Sequence, residues 1–262
     1  MQWALTESPR ATPQGGRPWR TVGIAVLWLL VAQVAGLLCA VVIGAVIGLQ
    51  RGLSLSRGGT PWPTPSGIDF ALASTVALQS LLLWVALRRA RMLGGGSTAA
   101  GLGNLPVRRR GRVALCGVLL LIWLAIWSTA VIWLPSLLPI VARDTPALLG
   151  PPEAEDLPAL VLRFVLIGAL APIAEECFFR GWLWTALRRD WGAVATIAAT
   201  GLLWLVNHAA GGPIQPLVLF PAAILLGAAR EVGGSVRASL TLHLLNNGIA
   251  LALQWWATTH AG

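Results

Sequence analysis

The sequence predicts an all-α protein, a polytopic transmembrane helical bundle of about seven helices. Three observations lead there. Hydrophobic residues fill 56% of the 262 positions and charged residues only 11%, less than half the ~25% usual in a soluble domain. The apolar residues are gathered into runs of the length a bilayer demands, about 20 residues per helical span. The arginines fall between those runs, so the excess of 19 basic over 10 acidic residues reports membrane topology and not a nucleic-acid partner.

The first run, Val22 to Leu49, carries no charge and is too long for a signal-peptide core of roughly 7–15 residues. Six more follow: Ile68 to Leu87, Val113 to Leu134, Leu157 to Leu187, Ala193 to His208, Ile214 to Ala229 and Val236 to Trp256. Arg10, Arg17 and Arg20 precede the first run, and Arg51 and Arg57 follow it. Arg88, Arg89, Arg91, Arg108, Arg109, Arg110 and Arg112 fill the next connection. The connection after the third run instead holds Asp144, Glu153, Glu155 and Asp156 with Arg143. Arg188 and Arg189 mark the fourth turn, and Arg230 and Arg237 the sixth. This alternation predicts a cytoplasmic N-terminus and an external C-terminus. The complete absence of Lys and Tyr beside abundant Ala, Gly and Leu fits a GC-rich bacterial genome, hence a bacterial inner membrane. The segments Gly58 to Gly67 and Gly94 to Gly96 read as linkers. Cys39, Cys116 and Cys177 show no CxxC spacing and read as small buried hydrophobes.

The fourth run is abnormal. It holds Arg163, Glu175, Glu176 and Arg180 within apolar sequence, and each charge costs roughly 2.5–3.5 kcal/mol at mid-membrane on translocon scales, so such a cluster is functional by default. Arg163, nearer the outer end, can snorkel. Glu176 and Arg180 are spaced i, i+4 and can form an ion pair on one helical face. Glu175 lies about 100° around the helix and is the carboxylate left for chemistry. Pro172 lacks a backbone donor, so the helix should kink or restart there and place Glu175 in a first turn.

Of three histidines, His208 ends the fifth run four residues after Trp204, and His243 lies in the last run with Asn247 one turn later. A single buried histidine is most often a satisfied core residue; two together with a buried carboxylate cluster favour a site. His260, at the C-terminus, reads as inert. In an antiparallel hairpin turning at Arg189 to Gly192, Glu175 and His208 fall at one depth, roughly 24 Å from the turn. A general base, a histidine partner and the two donors His243 and Asn247 are the parts of water-mediated amide cleavage.

Glu175-Glu176-x-x-x-Arg180 resembles the EExxxR motif of the CPBP family, which groups type II CAAX prenyl proteases with Abi bacteriocin-immunity proteins. Trp204-x-x-x-His208 resembles its FxxxH and His243-x-x-x-Asn247 its HxxxN, in the family's order, with Trp204 in place of Phe. The resemblance spans Leu157 to Trp256 and divides the chain into a cytoplasmic tail (1–21), variable N-terminal helices and linkers (22–156), a catalytic core (157–256) and a C-terminal tail (257–262). It implies an intramembrane endopeptidase of the glutamate type. Glu175 and His208 would activate water, His243 and Asn247 would form the oxyanion hole, and Glu176, Arg180 and Trp204 would support them. The substrate would be a membrane-embedded or lipid-anchored protein cut near its C-terminal tail. No cofactor is favoured.

Several rivals stand beside this reading. Zinc held by Glu175, His208 and His243 is chemically suitable, whereas HExxH, Gly-x-Gly-Asp and Gly-x-Ser-Gly signatures are absent. Cys177 with His208 as a nucleophile pair lacks any feature that would activate the thiol. A non-catalytic immunity or scaffold protein of the same family, and a transporter, would also bury charge, although no inverted repeat is visible.

Overall fold

The computed structural model describes residues 18–57, 67–137, 157–209, 212 and 214–260. All regular structure among them is helical. The elements are α1 (Pro18–Ser56), α2 (Gly67–Leu93), a short α3 (Thr98–Leu102), α4 (Arg110–Leu137), α5 (residues 157–187), α6 (Ala193–His208), α7 (Gln215–Gly233) and α8 (Val236–His260). Each apolar run becomes one long helix. Among the described residues three helical stretches are long and apolar enough on their own to cross a membrane, namely α1, Arg110–Ala130 of α4, and α7; α6 is a shorter apolar helix. Arg10, Arg17, Arg143, Asp144, Glu153, Glu155 and Asp156, and the linker up to residue 66, lie outside the described residues.

Helix ends overrun the apolar runs because arginine is a good helix former. α1 starts at Pro18, a residue suited to the first helical position, so the last four positions of the expected N-terminal tail are helical. α8 likewise extends to His260. α2 continues through Arg88, Arg89 and Arg91 until the glycine triplet, where Gly95 and Gly96 take φ of 61° and 99°. The short α3 that follows has no counterpart in the sequence reading, since five residues cannot show a periodicity. The Ser97 hydroxyl caps it by accepting from the Ala100 N–H, and Gly103 ends it in the left-handed conformation. Gly101 lies so close to α2 that a Cβ would come within 1.8 Å of the Ala90 carbonyl oxygen.

α5 is the central helix and it does not break at Pro172. Two α-helical stretches, Leu157–Arg163 and Ala171–Glu175, flank a π-helical one, Phe164–Leu170; a second π stretch, Glu176–Leu183, leads into Trp184–Leu187. The backbone stays right-handed helical through every junction. The chain thus accommodates the missing proline donor by widening, and Glu175 ends an α-helical turn instead of opening a new helix.

Around α5 the bundle is tight. Phe178, Phe179, Leu183 and Leu187 pack with Leu82 and Val85 of α2, Trp204 of α6 and Leu226 of α7 in one core. Lipid tails supply no hydrophobic drive between helices, so close backbone approach through small residues has to do so. Gly36 of α1 meets Ser74 of α2, and Gly201 of α6 meets Ala223 of α7. The outer surface of α1 is a band of exposed Leu27, Leu30, Leu37, Leu38, Val41 and Val42, as suits a face turned to lipid.

One end of the bundle gathers the basic connections. Arg188 makes a bidentate pair with Glu231, both N–H···O distances being 3.1 Å. Arg189 donates to the Leu93 carbonyl at 3.0 Å, the Arg108 N–H to the Gly233 carbonyl at 2.9 Å, and Arg237 to Asn104. Trp19 of α1 packs edge-on against Trp191 at 5.1 Å. The arginine-bearing turns α2–α4, α5–α6 and α7–α8 therefore sit together with the start of α1.

The tight helix contacts can be probed by adding one methyl group. Gly101→Ala drives a Cβ into backbone and should cost about 1–3 kcal/mol, the usual cost of overpacking. Gly48→Ala on α1, which meets nothing within 4 Å, should be neutral or slightly stabilising. Thermal unfolding in detergent reads both; equal melting temperatures for the two variants would contradict the described α2–α3 contact.

Candidate functional site

The sequence-chosen residues come from three helices and meet around the middle of α5. Glu175 and Glu176 stand at its α-to-π junction, 3% and 0% exposed. Helix rise puts Glu175 about 18 Å from the end of α5 and His208 about 22 Å from the start of α6. The remaining offset closes because side chains tilt toward the N-terminus of their own helix. Glu175 leans away from the turn and His208 leans back toward it. His208 Nε2 comes within 3.9 Å of Glu175 Oε1, and His243 Nε2 of α8 within 4.0 Å of Glu175 Oε2.

Glu176 faces the other way. Its Oε1 accepts from Arg180 Nη1 at 3.0 Å and from His243 Nδ1 at 3.0 Å. Arg180 is fully buried; it also donates to the Ala223 carbonyl at 3.3 Å and lies over the Trp204 ring at 5.2 Å. The Arg180 carbonyl in turn accepts from Arg230 Nε at 2.8 Å. The ion pair inferred from i, i+4 spacing is thus one part of a buried chain running α8–α5–α7.

The partners fix the histidine tautomers. His208 Nδ1 can only donate to the Trp204 carbonyl at 2.8 Å, which leaves the Nε2 lone pair of the neutral ring toward Glu175. His243 Nδ1 donates to a carboxylate already paired with Arg180, so its Nε2 becomes a donor only when the ring carries a second proton.

Asn247 does not touch Glu175. Its Nδ2 donates to the Ile167 carbonyl at 3.0 Å, and its Oδ1 accepts from Asn246 Nδ2 at 3.3 Å. The reason lies in α5. The Ala171 N–H reaches back to the Leu166 carbonyl, a five-residue step, and the same step from Ile167 arrives at Pro172, which has no N–H. Asn247 supplies the donor that the proline lacks. An amide nitrogen carries two hydrogens, so one remains for another acceptor.

Two contacts of Glu175 were not foreseen. Gln79 of α2 donates from Nε2 to Oε1 at 2.9 Å, and Trp204 donates from Nε1 to Oε2 at 2.6 Å. The available signal for Gln79 was a solitary amide in the apolar run Ile68 to Leu87; polar side chains in membrane helices bond across to neighbours. Trp204 stands in the sequence reading as a supporting residue, with no hydrogen bond assigned to it. Its ring also packs 4.4 Å from His208 and edge-on to His243 at 5.7 Å.

The zinc alternative meets a donor set of suitable chemistry, one carboxylate and two imidazole Nε2 atoms. The two nitrogens stand 3.9 and 4.0 Å from the Glu175 oxygens. Among the described residues no three His, Cys, Asp or Glu side chains are gathered as a metal-holding group.

Comparison with known proteins bears on this segment of the chain. Residues 157–249 match the family model described as type II CAAX prenyl endopeptidase Rce1-like, and the match contains Glu175, Glu176, Arg180, Trp204, His208, His243 and Asn247. No curated protein and no solved structure gives a significant match. Residues 157–249, about a third of the chain, are thus similar to the Rce1-like CAAX protease family, and the apolar helices around them are long enough to cross a bilayer.

Proposed function

We propose that the protein is an intramembrane endopeptidase that hydrolyses a peptide bond with water activated by Glu175. The observation that carries the reading is the facing of Glu175 Oε1 and His208 Nε2 across 3.9 Å. Both are acceptors. A water within hydrogen-bond distance of each, about 2.8 Å, spans them at an angle near 90°, close to its own bond angle. It gives one hydrogen to each and keeps its lone pairs for attack.

The chemistry then needs only groups of this chain. Glu175 takes a proton as water oxygen bonds to the scissile carbonyl carbon. The oxyanion that forms is met by the remaining Asn247 Nδ2–H and by His243 Nε2–H in its protonated ring. Glu175 returns the proton to the leaving amine as the carbon–nitrogen bond breaks. Glu176, clamped between Arg180 and His243, orients the imidazole. The peptide enters on the side where His208 and Asn247 are only half-buried.

On this reading all seven long helices span the membrane and the N-terminus lies in the cytoplasm of a bacterial cell, with the basic end of the bundle inside. The substrate is a membrane-associated protein cut near its C-terminal tail. Glu175 lies about 18 Å from the basic end of α5, more than half of a ~30 Å hydrocarbon core. That depth favours the tail of an exported, lipid-anchored protein; a prenylated CAAX tail presented from the cytoplasm is the other substrate to test.

Glu175→Ala should abolish cleavage of a membrane substrate while the protein stays folded, read by comparing membrane and secreted protein termini by mass spectrometry in cells with and without the variant. Unchanged termini would leave the non-catalytic scaffold reading. Activity lost on exhaustive chelation and restored by zinc would replace the glutamate mechanism with a metal-dependent one.

Asn247 has a structural duty and a proposed catalytic one, and the two separate. Asn247→Ala orphans the Ile167 carbonyl, at about 1–3 kcal/mol, and should lower turnover about 10²- to 10³-fold. Pro172→Ala in the same protein restores a backbone donor near that carbonyl. The double variant should regain thermal stability but not activity; recovery of both would make Asn247 purely structural.

A further inference from the structure

Both oxygens of Glu175 are occupied by donors that carry no charge: Gln79 Nε2 on Oε1 at 2.9 Å and Trp204 Nε1 on Oε2 at 2.6 Å. We propose that Gln79 and Trp204 are positioning residues that fix the Glu175 carboxylate for water activation, an inference that rests on the mechanism above. One donor on each oxygen stops rotation of the carboxylate about its terminal bond. Neutral donors do this without pairing the carboxylate with an opposite charge, as an arginine would.

The surroundings support a positioning role over incidental packing. Gln79 is 5% and Trp204 2% exposed, so water does not compete for either bond. With its Nε2 turned to Glu175, Gln79 leaves its own Oε1 buried and without a partner, a destabilising arrangement that the fold retains together with the bond to Glu175. The reversed amide would set oxygen against carboxylate. Trp204 is itself held from three sides, by His208, His243 and the Arg180 guanidinium. The family motif that this segment resembles has Phe at this position, and Phe cannot donate. Gln79 lies on α2, outside the matched residues 157–249.

Glu175 is faced by His208 from α6, His243 from α8 and Gln79 from α2, with Glu176 beside it on α5. Arg180 is committed to Glu176. Gln79 and Trp204 are thus the direct hydrogen-bond donors to the base among the described residues, and their loss should be felt in the chemical step and not in substrate binding.

The test uses the full chain in detergent with Gln79→Met and Trp204→Phe, which remove the donor and keep an unbranched and an aromatic side chain respectively, and with Glu175→Ala. A fluorogenic farnesylated CAAX-type peptide and a diacylated tail peptide serve as probes. Each donor variant should lower kcat about tenfold at unchanged KM. The double variant should fall short of the product of the two losses, because both act through one carboxylate. The carboxylate stretching band of Glu175, isolated as the infrared difference between each protein and its Glu175→Gln counterpart, should shift in both variants. That readout needs no turnover, so it decides the positioning role even if neither probe is cut. Cleavage surviving in Glu175→Ala overturns the mechanism. Parent-like kcat in both donor variants, or a fall in kcat with an unmoved band, overturns the positioning role alone.

Discussion

A guanidinium with no exposure to solvent or lipid calls for acceptors around it, and partnering Arg180, of which only Nε is left without one, organises much of this bundle. Its charge is met by Glu176 at 3.0 Å, a further N–H by the Ala223 carbonyl, and its face by the Trp204 ring. Removing one member of a buried pair typically costs about 3–5 kcal/mol, because the other charge is stranded. The requirement propagates outward. Ala223 and Gly201 are small where α6 meets α7, and this brings the Ala223 carbonyl within reach. Glu176 has a second donor in His243, which ties α8 to the same point. Arg180 pairs with one of two adjacent carboxylates, and Glu175, left without a cation, is met by the neutral donors Gln79 and Trp204.

The widened turns of α5 serve the same end. A regular α-helix through Pro172 would lose one donor and crowd a carbonyl; the π-helical stretch Phe164–Leu170 shifts the pairing by one residue ahead of the proline. The deficit passes to the Ile167 carbonyl and is made good from α8 by Asn247. A backbone irregularity on one helix thus fixes a side chain on another, and that side chain lies one turn from His243. The reactive groups need not be packed tightly against each other, since each is anchored from behind.

The extent to which this was legible in the sequence follows from the range of each interaction. The helices were readable because apolar runs and their arginine punctuation are local. The nearness of Glu176 to Arg180 followed from helical spacing, and that of Glu175 to His208 from hairpin symmetry. The π-helical widening was not legible, since Pro172 signals a disturbance without saying whether the helix breaks or swells. The second role of Asn247 depends on that choice. The bond from Trp204 to Glu175 was not legible either, because an indole N–H declares itself only when an acceptor is known to face it. α3 escaped because five residues have no period.

Gln79 has a different lesson. The matched segment begins at residue 157, and the helices before it resemble the family only in being hydrophobic. Yet α2 packs along α5 through Leu82 and Val85, and one turn from that contact it sets an amide against the Glu175 carboxylate. A polar side chain in an apolar helix is costly unless it is bonded. The N-terminal helices therefore do more than shield the matched segment from lipid. The surface that α2 offers to α5 must be apolar where it packs and must donate at one point, a constraint on two positions that no motif of the matched segment records.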